Sequence, residues 1–125
     1  MIDVLPIESE KPLRYALYAR QSVEPSQGEP STELPLERQM VALRTAMRRQ
    51  HPQGREVAAY QDRGLGFPAE RGLAQLLGDL DSGRILVDWL VVEDLARLAR
   101  TVVERQRCRQ LLADRHVTIV TITGT

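Results

Sequence analysis

Tyr18, Arg20 and Ser22 stand at every second position, so in an extended chain their side chains leave from one side of the backbone. Arg97 and Arg100, in Leu95-Ala96-Arg97-Leu98-Ala99-Arg100, are three apart, a spacing that shares one helical face once a turn has begun. Asp62 ends the run Glu56 to Asp62 and brings a carboxylate. A hydroxyl among guanidinium groups and a carboxylate suits attack on a phosphate, because the guanidinium fork matches phosphate oxygens and neutralises their charge. No arrangement of residues here suggests a metal site, and no cofactor is implied.

These residues can meet only if the elements that carry them end at one edge. Leu13 to Arg20 reads as a strand that runs into a polar loop, Gln21 to Thr32, whose Ser, Pro and Gly content predicts mobility. Leu36, Met40, Leu43 and Met47 recur at helical spacing behind Pro35, and His51-Pro52 with Gly54 closes that helix. Glu56 to Asp62 is a second strand, followed by a turn at Gly64 and Gly66. Leu73, Leu76, Leu77 and Leu80 mark a second helix, stopped by Ser82-Gly83. Ile85 to Val92 is almost continuously apolar, as expected of a strand buried on both faces of a parallel sheet. A helix from about Thr101 to Arg115 has a broken stripe of Val102, Cys108, Leu111 and Leu112, which predicts looser packing and a core place for Cys108. A last strand, Val117 to Thr123, completes the order βαβαβαβ. The fold class is therefore α/β: a three-layer open sheet, mostly parallel, with four main strands and helices on both faces. Ligands of such sheets meet the carboxyl ends of the strands, where Ser22, Asp62 and Arg97 all lie.

These motifs resemble the catalytic domain of the serine recombinases, the family of resolvases, invertases and phage-type integrases. Tyr-x-Arg-x-Ser is matched by Tyr18, Arg20 and Ser22; a helix glutamine by Gln39; the strand-end aspartate by Asp62, with Gly66 in the turn after it. The arginine before Gly-Leu is matched by Arg71, ahead of Gly72 and Leu73, and the family's Leu-Asp-Arg-Leu-x-Arg by Leu95 to Arg100. The resemblance covers Leu13 to Thr123 in unbroken order. It implies that Ser22 is a nucleophile forming a 5′-phosphoserine link to DNA and releasing a 3′-hydroxyl. Arg20, Arg71, Arg97 and Arg100 would hold the scissile phosphate, Asp62 and Gln39 would orient the arginines and backbone, and Tyr18 would pack or hydrogen-bond beside them. It also implies DNA as a partner, with a homodimer or tetramer in a full-length form.

Departures from the family pattern bear on activity. Ala96 stands where the family has aspartate and Leu65 where a serine is usual, and Arg71 meets Gly72 one residue early. Asp94, two residues before Ala96, is a carboxylate that could substitute in part. A degenerate, non-catalytic recombinase-like protein or regulatory interaction module is thus the alternative. An unrelated flavodoxin-like ligand module is a third reading, though it would want a Gly-rich phosphate loop that the sequence lacks.

The chain of 125 residues suits one domain, residues 1–125, and the expectation is a catalytic domain without the family's dimerisation helix and DNA-binding domain. Seventeen basic residues, of which sixteen are arginine, balance seventeen acidic ones, so net charge gives no support for tight freestanding DNA binding. With 42% hydrophobic residues, no apolar run near the ~20 residues of a membrane span, no secretory leader and a single cysteine, a cytoplasmic location without membrane partners is expected.

Overall fold

A computed structural model describes residues 12–22, 34–64 and 71–124. The elements follow the order β1 (Arg14–Gln21), α1 (Leu36–Gln50), β2 (Arg55–Arg63), α2 (Arg71–Asp81), β3 (Trp89–Val92), a 3-10 turn (Leu95–Arg97), α3 (Val102–Ala113) and β4 (Thr118–Thr121). The four strands form one sheet in the order β2-β1-β3-β4, and every neighbouring pair is parallel. The expected α/β architecture is therefore the observed one. Most of the loop Gln21 to Thr32, together with Leu65 and Gly66, lies outside the described residues.

Sequence alternation decides which layer each helix joins. On β1, Tyr15, Leu17 and Ala19 face α1, where they meet Leu36, Met40, Leu43 and Met47. Ala16 and Tyr18 face the other way, into a second core with Leu73 and Leu76 of α2 and Cys108 and Leu112 of α3. Residues Ala16 to Ala19 are wholly buried, so β1 is the wall common to both cores. Among the described residues no helix is long and apolar enough to cross a membrane.

Two expectations need correction. The apolar run Ile85 to Val92 is a strand only from Trp89 onward, and Leu86 is 63% exposed. Asp88 is the cause: its carboxylate accepts the Arg14 N–H at 3.0 Å and its own N–H reaches the Arg14 carbonyl, so the chain joins β1 only there. In α3, Val102 is 64% exposed, while the core stripe is Cys108 and Leu112 with Leu111 partly buried. The helix starts at Val102 because Thr101 accepts the Glu104 N–H and caps it. Cys108 is a core residue, as expected, and burial pushes its thiol up to about 11.

Candidate active site

Because all four strands run the same way, the ends of β1, β2 and β3 open on one edge. Arg20 and Asp62 are register partners across β1 and β2. Ser22 follows the last residue of β1, and Nη1 of Arg20 donates to its Oγ at 3.4 Å. The alternation that put Tyr18, Arg20 and Ser22 on one side is thus realised.

Arg20 itself is 3% exposed, and its guanidinium is fastened to main chain. Nε donates to the Arg97 carbonyl at 2.8 Å, Nη2 to the Ala96 carbonyl at 2.7 Å, and Nη1 to the Gly64 carbonyl. Arg97 acts in the opposite direction, its Nη1 donating to the Arg20 carbonyl at 3.0 Å. Each arginine side chain thereby holds the other's backbone, clamping the 3-10 turn onto the end of β1. Gln39 completes the clamp from α1. Its Oε1 accepts the Arg20 N–H at 3.2 Å, and its Nε2 donates to the carbonyls of Arg20 at 3.0 Å and Leu34 at 2.8 Å. Gln39 is fully buried, so it is no solvated helix residue.

Two carboxylates that spacing alone could have flagged sit on Arg97. Its Nε lies 3.6 Å from Glu93 and 3.5 Å from Asp94, residues four and three positions before it. Asp94 therefore does approach the arginine beside Ala96. The expected common face of Arg97 and Arg100 is absent, because the 3-10 turn ends at Arg97: Arg97 is buried and Arg100 is exposed.

Asp62 ties the end of β2 to the start of α2. Its Oδ1 accepts the Gly72 N–H at 2.7 Å, and its Oδ2 accepts the Leu73 N–H at 3.3 Å and the Tyr18 hydroxyl at 2.8 Å. It thus satisfies the open amides of the first turn of α2. A Cβ on Gly72 would sit 2.6 Å from Asp62 Oδ2 and 2.9 Å from the Gln61 carbonyl, so glycine is what allows the helix to come this close. Further along, Tyr60 donates to Asp79 at 2.7 Å, and burial followed by that bond holds its hydroxyl far above the usual tyrosine range. Arg71, the first residue of α2, is exposed beside an open cleft of about 460 Å³ that Gln61, Asp62 and Gln75 help to line. Among the described residues, neither the Arg71 nor the Arg100 guanidinium is hydrogen-bonded to Ser22.

The edge therefore carries two bonded sets on adjacent strands, Ser22 with Arg20, Arg97 and Gln39, and Asp62 with Tyr18, while Arg71 and Arg100 belong to neither. Such an edge can present a hydroxyl at a fixed strand end, and the exposed guanidinium groups of Arg71 and Arg100 remain open to an anion. Comparison with known proteins bears on what it is. A comparison with curated protein sequences finds no match. Among solved structures, the N-terminal catalytic domain of TP901-1 integrase is similar at a TM-score of 0.69 and 17% identity, over 88% of this chain and 77% of that one. The C-terminal catalytic domain of an IS607-like serine recombinase gives 0.67 at 21% identity, over 88% and 67%. A resolvase family site-specific recombinase from Streptococcus pneumoniae gives 0.63 at 22%, over 90% and 74%. At these identities the likeness is one of fold. The sequence profile described as "Resolvase, N terminal domain" matches residues 15–125, nearly the whole chain, and so the chain belongs to the resolvase N-terminal domain family, that of the serine recombinase catalytic domains.

Proposed function

We propose that this domain cleaves and rejoins DNA with Ser22 as the nucleophile. The observation that carries the reading is the strand-end position of Ser22 Oγ, 3.4 Å from Arg20 Nη1 and on the edge where Asp62 and Arg97 also end. Ser22 Oγ attacks the scissile phosphorus, joins the 5′-phosphate and releases the 3′-hydroxyl. Arg71 and Arg100, exposed in this structure, neutralise the phosphate as charge develops. Arg20 holds the Ser22 hydroxyl and, with Arg97, fastens the 3-10 turn to the end of β1, while Gln39 holds the Arg20 main chain and Asp62 with Tyr18 sets the start of α2. Positioning and charge neutralisation are the main sources of rate in such a transfer. A pool of suicide duplexes of randomised sequence tests this. A covalent adduct mapped to Ser22 and lost in Ser22→Ala supports the assignment; an adduct that survives Ser22→Ala overturns it.

A second reading, a non-catalytic recombinase-like protein, is favoured by Ala96, which leaves that position without a carboxylate. Asp94 separates the two readings, because it already lies 3.5 Å from Arg97 Nε. If Asp94 supplies the missing carboxylate, Asp94→Ala abolishes the adduct and Ala96→Asp changes little. If Ala96 is the lesion, Ala96→Asp raises the adduct yield.

A further inference from the structure

The balanced charge of the chain is unevenly divided. The described residues hold sixteen arginines against ten carboxylates, while seven carboxylates and Lys11 fall in residues 1–11, 23–33 and 65–70. All sixteen arginines of the chain thus lie among the described residues. Part of its arginine set is matched by carboxylates: Arg14 by Asp88, Arg44 by Glu56, Arg84 by Asp79, Arg97 by Glu93 and Asp94, and Arg115 by Asp81.

On α1, Arg38, Arg48 and Arg49 are exposed and form no ion pair with a described carboxylate, although Arg48 also feels the Glu56 charge that Arg44 pairs with. At 100° per residue, Arg38 and Arg49 lie about 20° apart around the axis and roughly 16 Å apart along it, with Arg48 to one side. The exposed Val41 and Thr45 lie between them and carry no charge. The single acid of α1, Glu37, is about 100° from Arg38. The row starts at the site, since Gln39, next to Arg38, is bonded to the Arg20 main chain. Its length matches about five base-pair steps of 3.4 Å along the axis of a duplex.

We propose that the outer face of α1 is a contact surface for the phosphate backbone of duplex DNA, leading away from the Ser22 edge. The proposal rests on the DNA-cleaving reading and adds where the duplex lies. Guanidinium groups fixed on a helix bind phosphates without reading bases, so the contact is sequence-independent and strongly salt-dependent.

The test is binding of a labelled duplex of mixed sequence by the whole chain between 50 and 200 mM salt. Combined Arg38→Gln, Arg48→Gln and Arg49→Gln should flatten the plot of log affinity against log salt by about 2.7, at roughly 0.9 for each phosphate no longer neutralised. Arg109→Gln, an exposed arginine on α3 in the opposite layer, should leave the slope unchanged. The single variant Arg38→Gln, expected to flatten it by about 0.9, serves if the triple variant melts early. An unchanged slope overturns the proposal, as does failure of the unaltered chain to bind at the lowest salt. Polyglutamate held as tightly through the same three arginines also overturns it, in favour of an acidic polypeptide partner. The series is repeated in Ser22→Ala, which cannot form the adduct, so failure of the cleavage assignment and failure of the surface are read separately.

Discussion

Arg20 shows how far a residue type can be from its use. A guanidinium two residues before the proposed nucleophile is what phosphate chemistry would want exposed, yet its donors meet the carbonyls of Gly64, Ala96 and Arg97. The four family-matched arginines therefore divide into two kinds. Arg20→Met should leave buried carbonyls without donors and lower stability by about 3–5 kcal/mol, read as a shifted urea midpoint at constant slope. Arg71→Gln and Arg100→Gln remove exposed side chains and should change stability by less than about 0.5 kcal/mol, while cutting adduct yield by about two to three orders of magnitude. Equal loss of stability in all three variants would erase the division. Gly72→Ala belongs with the first kind. Its new methyl meets the carboxylate that caps α2, so the cap must open, at a cost of about 1–3 kcal/mol in the same assay.

The elements were largely legible, and where they were not the reason is tertiary. Apolar spacing found α1 and the four apolar residues of its buried face, because a helix on one side of a sheet must show a single stripe. The same logic overextended β3, since a run of apolar residues does not reveal that Asp88 is the residue that docks against Arg14. In the site, the alternation of Tyr18, Arg20 and Ser22 was readable from the residues themselves. Gln39 and Arg71 were found only through the family pattern, because neither spacing nor type marks a helix glutamine that pairs with a strand end. The carbonyls that hold Arg20 were not readable at all, since main-chain atoms carry no signature in the sequence. Ties between elements also set the response to acid. The Arg14 N–H and guanidinium hold the Asp88 carboxyl below the usual range, and the bond from Arg44 does the same for Glu56. A carboxyl whose folded value is depressed contributes stability above its unfolded value and loses it as pH falls through the folded one. Stability should therefore be flat near neutrality as far as these two are concerned and decline below about pH 4. In Asp88→Asn the decline should be shallower, measured by urea unfolding across pH 2 to 7; an identical acid limb would remove Asp88 from the account.

At the scale of the whole molecule, the question is whether the two layers can come apart. β1 supplies Tyr15, Leu17 and Ala19 to the α1 core and Ala16 and Tyr18 to the α2 and α3 core. Its side chains cannot leave one core while the backbone between them stays in the other, so both cores should open together. Cys108 offers a probe on the far layer: it is 3% exposed, and its thiol at about 11 is overwhelmingly protonated at pH 8, so a thiol reagent reaches it only when the fold opens. Leu43 offers the perturbation on the near layer, being fully buried in α1. Leu43→Ala should cost about 2–5 kcal/mol through reduced burial and the cavity left behind. At tenfold in the opening equilibrium per 1.4 kcal/mol, Cys108 labelling should then accelerate by at least about thirtyfold, although Leu43 and Cys108 belong to different cores. Leu76→Ala, on the Cys108 side, should accelerate labelling in proportion to its own loss of stability, on the same line. Labelling that responds to Leu76→Ala and ignores Leu43→Ala would mean that the layer of α2 and α3 opens by itself and that β1 does not couple the two cores.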